Sequence, residues 1–143
     1  MKTTQIVNII KNQENILNRI NREEDYLYEQ LYRLRKLETA FGKNGVIREG
    51  ESIYKLVNRR ESDLVMKIEQ LGRERGLAEC VLRLYRSLDK QARRVLDYLY
   101  LENRSWDWVA VEMDISKTSI SRHRTRGLRA LHSGVHSYLE DNP

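Results

Sequence analysis

The stretch from Ser116 to Leu131 combines basic and hydroxyl side chains and contains no acidic residue. Its basic residues are Lys117, Arg122, Arg124, Arg126 and Arg129. Arginine and lysine donate hydrogen bonds to phosphate oxygens and guanine edges, and serine and threonine hydroxyls can reach the same groups. These residue types therefore suit the non-covalent recognition of a polyanion. The whole chain carries a formal charge of +5, although mild basicity alone does not require such a partner.

Placed on a helix at about 100° per residue, this stretch separates into two faces. The apolar face carries Ile120, Gly127, Leu128 and Leu131. The opposite face carries Thr118, Arg122, Thr125 and Arg129, with Ser121 and Arg126 at its edges. A basic face that is merely solvated is the alternative interpretation. The absence of acids, together with the elements that precede the stretch, favours insertion into the major groove of DNA.

Those preceding elements predict a helix-turn-helix. Two helical turns from Trp106 to Met113 would begin after Ser105 as the N-cap, with Trp106, Val109, Ala110 and Met113 facing inward. A tight turn, Asp114-Ile115-Ser116, would then place Ile115 in the core and use Ser116 to cap the next helix. An earlier helix, DKQARRVLDYLYL, would begin at Asp89 and present Ala92, Val95, Leu96 and Leu99 on one face.

These segments resemble region four of the sigma-70 class of bacterial sigma factors, whose helix-turn-helix reads the −35 promoter element. SWDWVA is similar to the first helix, MDIS to the turn and ISRHRTRGLRAL to the recognition helix, while SLDKQARRVLDYLYLENRS resembles the upstream helix. The resemblance covers about a third of the chain. It implies sequence-specific binding to double-stranded DNA. Sigma-four modules also bind RNA polymerase, which makes that enzyme a second expected partner.

The resemblance implies base-reading roles for Lys117, Thr118, Ser121 and Arg122. The candidate DNA-binding set comprises Lys117, Thr118, Ser119, Ser121, Arg122, Thr125, Arg126 and Arg129. The family commonly has Arg-Glu where this chain has Lys117-Thr118, and Gln in place of Arg122, so a different target sequence is expected. His123 stands where an aliphatic residue is usual, and it is predicted to be partly buried and hydrogen-bonded.

The first part of the chain shows a heptad pattern, with apolar residues at Ile6, Ile10, Leu17, Ile20, Leu27, Leu31, Leu34 and Phe41. This pattern predicts one long helix over 1–41. Three glycines predict a loop or linker over 42–61, and Ser62 would cap a second long helix over 62–86. The helix-turn-helix domain would occupy 87–143. The two long helices would pair either as a hairpin within one chain or through a homodimer, and the residues do not separate these arrangements.

The composition bounds the remaining possibilities. A single terminal proline and no alternating β-branched pattern indicate an all-α fold. No run approaches the roughly 18 apolar residues that a membrane helix needs, and the lone Cys80 is expected to be a small buried residue. His132 and His136 are four residues apart but have no third ligand nearby, so neither a metal nor a cofactor is expected. No catalytic constellation is recognisable, and a cytoplasmic non-enzyme is predicted.

The predicted function is that of a dimeric transcriptional regulator at a phage or prophage promoter. A long coiled helix before a sigma-four-like module is similar to phage-encoded regulators of the ArpU/RinA type. A homodimer through the N-terminal helix would present two recognition helices to two half-sites. Two alternatives use the same motif: an adaptor that binds RNA polymerase, and the small subunit of a DNA-packaging machine.

Overall fold

The computed structural model describes the backbone of residues 1–41 and 48–143, and the side chains of 1–37, 39 and 55–143. All regular structure in these ranges is helical, which confirms the all-α prediction. The helices are α1 (Thr3–Lys11), α2 (Gln13–Phe41), α3 (Arg48–Ser87), α4 (Lys90–Leu96), a π-helical turn (Asp97–Leu101), α5 (Trp106–Met113) and α6 (Lys117–Asp141). None of the described helices is long and apolar enough to cross a membrane.

The chain divides into two compact units. We call Leu17–Arg75 the hairpin unit, and Met1–Ile16 together with Gly76–Pro143 the head unit. The described residues of the hairpin unit come from α2 and α3, whereas the head unit contains the predicted helix-turn-helix.

Within the hairpin unit, α2 and α3 of the same chain pair with each other. Both helices bury an apolar stripe, formed by Ile20, Leu27 and Leu31 on α2 and by Val57, Leu64 and Leu71 on α3. Among the side chains that the structure describes, three ion pairs join the two helices: Arg19–Glu74 at 3.1 Å, Glu24–Arg75 at 2.7 Å and Arg35–Glu61 at 3.5 Å. Arg19 and Glu24, early in α2, pair with residues 74 and 75, whereas Arg35, later in α2, pairs with the earlier residue Glu61, so the helices are antiparallel. The stripe from which a homodimer was predicted is thus occupied within the chain.

The predicted loop over 42–61 is wrong from Arg48 onward, because α3 begins there and runs through Gly50 without a break. Ser62 lies inside this helix and is not an N-cap. A glycine in a helix costs only about 1 kcal/mol, which the burial of an apolar stripe readily offsets. The rest of the predicted loop, 42–47, lies outside the described residues.

The predicted single helix over 1–41 is interrupted at Asn12, where φ is −111° and ψ is 23°. The Asn12 side chain donates hydrogen bonds to the Asn8 carbonyl and to the Asn8 side-chain oxygen, at 3.2 and 2.7 Å. Such local bonds compete with the helical pattern of the backbone. The interruption separates α1 from α2, so the heptad positions Ile6 and Ile10 belong to the head unit and not to a continuous coiled-coil stripe.

The main core of the head unit joins α1, α3, α4 and α6. Its buried residues are Ile6, Ile10, Val81, Leu96, Leu128, Leu131 and Val135. Cys80 is also buried, as predicted. Gly134 permits a close approach of α6 to α3, because a Cβ added there would lie 2.5 Å from Leu84 Cδ2. The last helix continues past Gly134 to Asp141.

The π-helical turn after α4 holds a carboxyl group in an unfavourable position. Asp97 accepts a backbone bond from Glu102 at 2.9 Å, while its side-chain Oδ1 is buried and has no hydrogen-bond partner among the described residues. Burial, with a smaller contribution from the Glu102 charge, raises the pKa of Asp97 to about 6. Folding therefore favours the protonated form, so the stability of the protein falls as pH rises from about 4 to about 6.

Asp97→Asn is expected to stabilise the head unit at pH 7 by about 1 kcal/mol, a value reduced for the partial solvent access of the group. The gain should vanish below about pH 4, where the carboxyl group is protonated in both the folded and unfolded chain. Urea unfolding followed by the fluorescence of Trp106 and Trp108, both in the head unit, measures this difference. Glu79→Gln, at an exposed position of α3, is the control. A gain that does not depend on pH would contradict the interpretation.

Candidate nucleic-acid interface

The two helices of the predicted motif begin where the sequence placed them. Ser105 Oγ accepts a hydrogen bond from the Trp108 N–H, and Ser116 Oγ accepts one from the Ser119 N–H, both at 3.1 Å. Each bond satisfies a backbone N–H that would otherwise be unpaired at the start of a helix. Asp89 caps α4 in the same way, by accepting from the Ala92 N–H at 2.9 Å. The caps predicted at Ser105 and Ser116 and the helix start predicted at Asp89 are confirmed, unlike the cap predicted at Ser62.

The turn between α5 and α6 is a Schellman motif. Asp114 adopts the left-handed conformation, with φ at 53° and ψ at 50°. The Ile115 N–H donates to the Ala110 carbonyl at 3.1 Å, and the Asp114 N–H donates to the Val111 carbonyl at 3.3 Å. This geometry directs Ile115 onto the small core of the motif, as predicted.

That core is centred on Val95, Val109 and Ile120, which are fully buried and come from α4, α5 and α6. The prediction that Trp106 faces inward is wrong, since it is 38% exposed. Trp108 packs here instead, edge-on to Tyr98 with ring centroids 5.0 Å apart. The position of Tyr98 on the preceding turn decides which tryptophan finds a partner, and helical periodicity alone does not supply that information.

The candidate residues of α6 form one exposed surface, which we call the recognition face. Its members are Lys117, Thr118, Ser121, Arg122, Thr125, Arg126 and Arg129, all of them exposed. Ser119, also in the predicted set, is half-buried and hydrogen-bonded through its hydroxyl to Ser116 at 3.1 Å. Its local role is therefore in the cap. The apolar face predicted for this helix is confirmed, because Ile120, Gly127, Leu128 and Leu131 are buried.

Two residues at the edges of the recognition face have acidic partners that the sequence did not reveal. Lys117 Nζ lies 2.5 Å from Asp107 Oδ1 on α5. Arg126 donates two hydrogen bonds to the Asp89 carboxylate, at 2.9 and 3.1 Å. By contrast, Arg122 at the centre of the face forms no hydrogen bond or ion pair with any residue that the structure describes. Its guanidinium donors are accordingly open to a ligand.

Asp89 links the recognition helix to α4. The pKa of the Asp89 carboxyl is lowered, mainly by the hydrogen bond from the Ala92 N–H and then by the Arg126 guanidinium, with a smaller contribution from His123. His123 is half-buried, and its Nδ1 lies 2.8 Å from Arg126 Nη2. Because arginine can only donate, Nδ1 is the acceptor. The prediction of a partly buried, hydrogen-bonded histidine is confirmed, and its partner is a surface arginine.

Arg124 lies on another side of α6 from the recognition face. Its Nε donates to the Tyr100 hydroxyl at 2.8 Å, and its guanidinium carbon lies 5.8 Å from the centre of that ring. The interaction holds α6 against the π-helical turn. Arg124 therefore adds to the positive charge of the helix while serving its packing.

The exposed side of α5 is acidic, whereas the recognition face is basic. Asp107 and Glu112 on α5 and Asp114 at its C-cap are exposed, and Val111 on the same helix is 83% exposed. Of these carboxylates, Asp107 is the one paired with Lys117. Phosphate groups would be repelled by this surface, so a nucleic acid would approach the recognition face of α6 and avoid the outer side of α5.

No family model, curated protein or solved structure matches this chain. The geometry of the head unit must therefore carry any functional argument.

That geometry can recognise a polyanion. Between Lys117 and Leu139, α6 contains no acidic residue, and the hydroxyl and guanidinium groups of the recognition face share one exposed side. The two other histidines have partners of their own: His132 Nε2 lies 2.8 Å from Thr3 Oγ1 on α1, and His136 Nε2 lies 2.9 Å from Glu140 Oε1 one turn further along α6. Within the described ranges, no three His, Cys, Asp or Glu side chains are grouped as metal ligands would be.

Proposed function

We propose that this protein is a sequence-specific DNA-binding transcriptional regulator that inserts the recognition helix, residues 117–131, into the major groove. One observation carries the proposal. The recognition face lies on a part of α6, residues 117–139, that contains no acidic residue and follows a capped, well-packed turn, and Arg122 at its centre has no partner among the described residues. The major groove, about 12 Å wide, admits a helix and presents acceptors that arginine can bond in pairs.

The residues of the recognition face divide by their existing contacts. Direct contacts with base edges suit the residues whose donors are exposed, which are Arg122 and the shorter Thr118, Ser121 and Thr125. Lys117 and Arg126 are already paired with carboxylates, so they suit phosphate contacts and the positioning of α6. Specificity would then come from the centre of the face, and general affinity from its edges.

Regulation at a phage or prophage promoter in the cytoplasm is the biological setting we propose. A homodimer would still place two recognition helices on two half-sites. Because the stripes of α2 and α3 cover each other, such a dimer would need a different surface from the N-terminal heptad stripe.

Selection of bound fragments from random duplex DNA tests the proposal. A common sequence should emerge, and the protein should protect a discrete site within it from cleavage. The mass of the complex in solution would give the number of protomers on one site. Equal affinity for all duplexes would contradict a sequence-specific regulator.

A second candidate function, an adaptor that binds RNA polymerase, is favoured by the outer side of α5. Val111 is 83% exposed among three exposed carboxylates, which suits contact with a protein surface better than contact with DNA. In a pull-down, polymerase should remain bound after Arg122, Arg126 and Arg129 are replaced by glutamine and should be lost after Val111→Glu. The reverse result would contradict the adaptor.

A further inference from the structure

The first helix, α1, packs against the second half of the recognition helix. Ile6 and Ile10 lie in the same buried cluster as Leu128, Leu131 and Val135. In addition, Thr3 Oγ1 lies within hydrogen-bonding distance of His132 Nε2, at 2.8 Å. This bond joins residues close to the two ends of the sequence and fixes the amino end of α1 beside α6.

Lys2 stands at this fixed end. Its backbone N–H donates to Gln5 Oε1 at 2.8 Å, and its carbonyl accepts from the N–H groups of Gln5 and Ile6 at 3.0 and 3.2 Å. The side chain itself is exposed. A well-anchored backbone thus presents an ammonium group next to the residue that bonds His132.

His132 continues the side of α6 that carries the recognition face. At 100° per residue, it lies about 20° from Thr125 and about 60° from Arg129 around the helix. Residues 1–13 and 117–139 contain neither aspartate nor glutamate. The positive surface is therefore uninterrupted by acids of either element, from the amino end of α6 to Lys2.

The length of this surface exceeds the width of the major groove. From Lys117 to His132, α6 rises roughly 22 Å, at 1.5 Å per residue. The groove is about 12 Å wide. With the first turns of α6 against base edges, groups around His132 would lie at the level of the sugar-phosphate backbone.

We propose that Lys2, Thr3, Arg129 and His132 form a second contact surface for duplex DNA, one that binds the phosphate backbone beside the bases read by the first half of α6. The inference rests on the proposed DNA-binding function and assigns α1 a direct part in it. Such a contact adds affinity for every duplex and no preference between sequences.

Lys2→Gln and Lys11→Gln form a matched pair that tests this surface. Both lysines are exposed on or beside α1 and both changes remove one charge, but Lys11 lies in the last turn, away from Thr3. Binding to the selected duplex and to a scrambled one is measured at several salt concentrations. Lys2→Gln should weaken both by the same factor, roughly three- to tenfold at 0.1 M salt, and reduce the salt slope by about 1. Lys11→Gln should leave both affinities within twofold of the unchanged protein.

Identical behaviour of the two variants would overturn the second contact, while binding of the unchanged protein to its selected site would still uphold the proposed function. A loss confined to the selected duplex would also overturn it, since a phosphate contact cannot discriminate between sequences. If the unchanged protein binds neither duplex, both the second contact and the proposed function are refuted. The tryptophan fluorescence of each variant verifies that the head unit remains folded.

Discussion

Replacing Arg122 with alanine is expected to weaken binding to the selected DNA site by about 1–3 kcal/mol, or roughly five- to 150-fold. The physical reason is its position at the centre of the recognition face, where its donors are exposed and no described residue occupies them. A guanidinium group can bond both acceptors of a guanine edge, and alanine can bond neither. Binding to a scrambled duplex should weaken far less, because it depends on charge alone.

Two further variants separate base reading from charge. Arg122→Lys keeps the charge but loses the planar pair of donors, so it should retain affinity for scrambled DNA and lose preference for the selected site. Arg83→Ala removes an equal charge from an exposed position of α3, outside the recognition face, and should leave that preference unchanged. Titrations with fluorescent duplexes measure the affinity of each variant for the selected and for the scrambled DNA. If Arg122→Ala weakens every duplex equally, Arg122 contacts phosphate and base reading must be assigned to other residues.

The local features of the head unit could be predicted because their chemistry acts over a few residues. Asp89, Ser105 and Ser116 each cap a helix through a bond to the N–H three residues later, and the same short side chains mark that position in a sequence. The division of α6 into a buried and an exposed face likewise follows from helical periodicity. Both features depend only on residues that lie within or next to a single helix, so the sequence of that helix is enough to predict them.

The pairing of the long helices could not be predicted in the same way. A heptad stripe fits any similar stripe, whether it belongs to the same chain or to a second copy. Ion pairs such as Arg19–Glu74 and Glu24–Arg75 bring together residues about fifty positions apart, and no local pattern announces them. The start of α3 was missed for a related reason, since the cost of Gly50 is offset by packing elsewhere along the helix.

In the candidate interface too, contacts between different helices could not be predicted from the sequence. Periodicity identified the exposed basic residues, but it could not show that Lys117 and Arg126 already have carboxylate partners on other helices. It also assigned Ile6 to a coiled-coil stripe, whereas that residue packs with α6 in the head unit. The helix breaks at Asn12, whose side chain bonds to that of Asn8, and the residues as far as Ile16 belong to the head unit.

Ile120→Ala is expected to destabilise the head unit by about 2–5 kcal/mol, the usual cost of truncating a buried isoleucine. Ile120 is completely buried and joins Val95 and Val109, so the lost contacts involve all three helices of the motif. Ile120→Val should cost about 0.5–1.5 kcal/mol, because it removes one methylene group from the same site. Urea unfolding monitored by tryptophan fluorescence measures both changes.

Val111→Ala is the matched control, since it truncates an apolar side chain on α5 that is 83% exposed. Its effect on stability should stay within about 0.5 kcal/mol. Measuring DNA affinity then tests whether the core matters to the recognition face only through folding. Folded Ile120→Val protein should bind the selected site with normal affinity, because its exposed face is unchanged. Ile120→Ala should bind only in proportion to its folded fraction. A cost below about 1 kcal/mol for Ile120→Ala would mean that α6 does not pack on α4 and α5 as described, and the recognition face would then lose the framework that positions it.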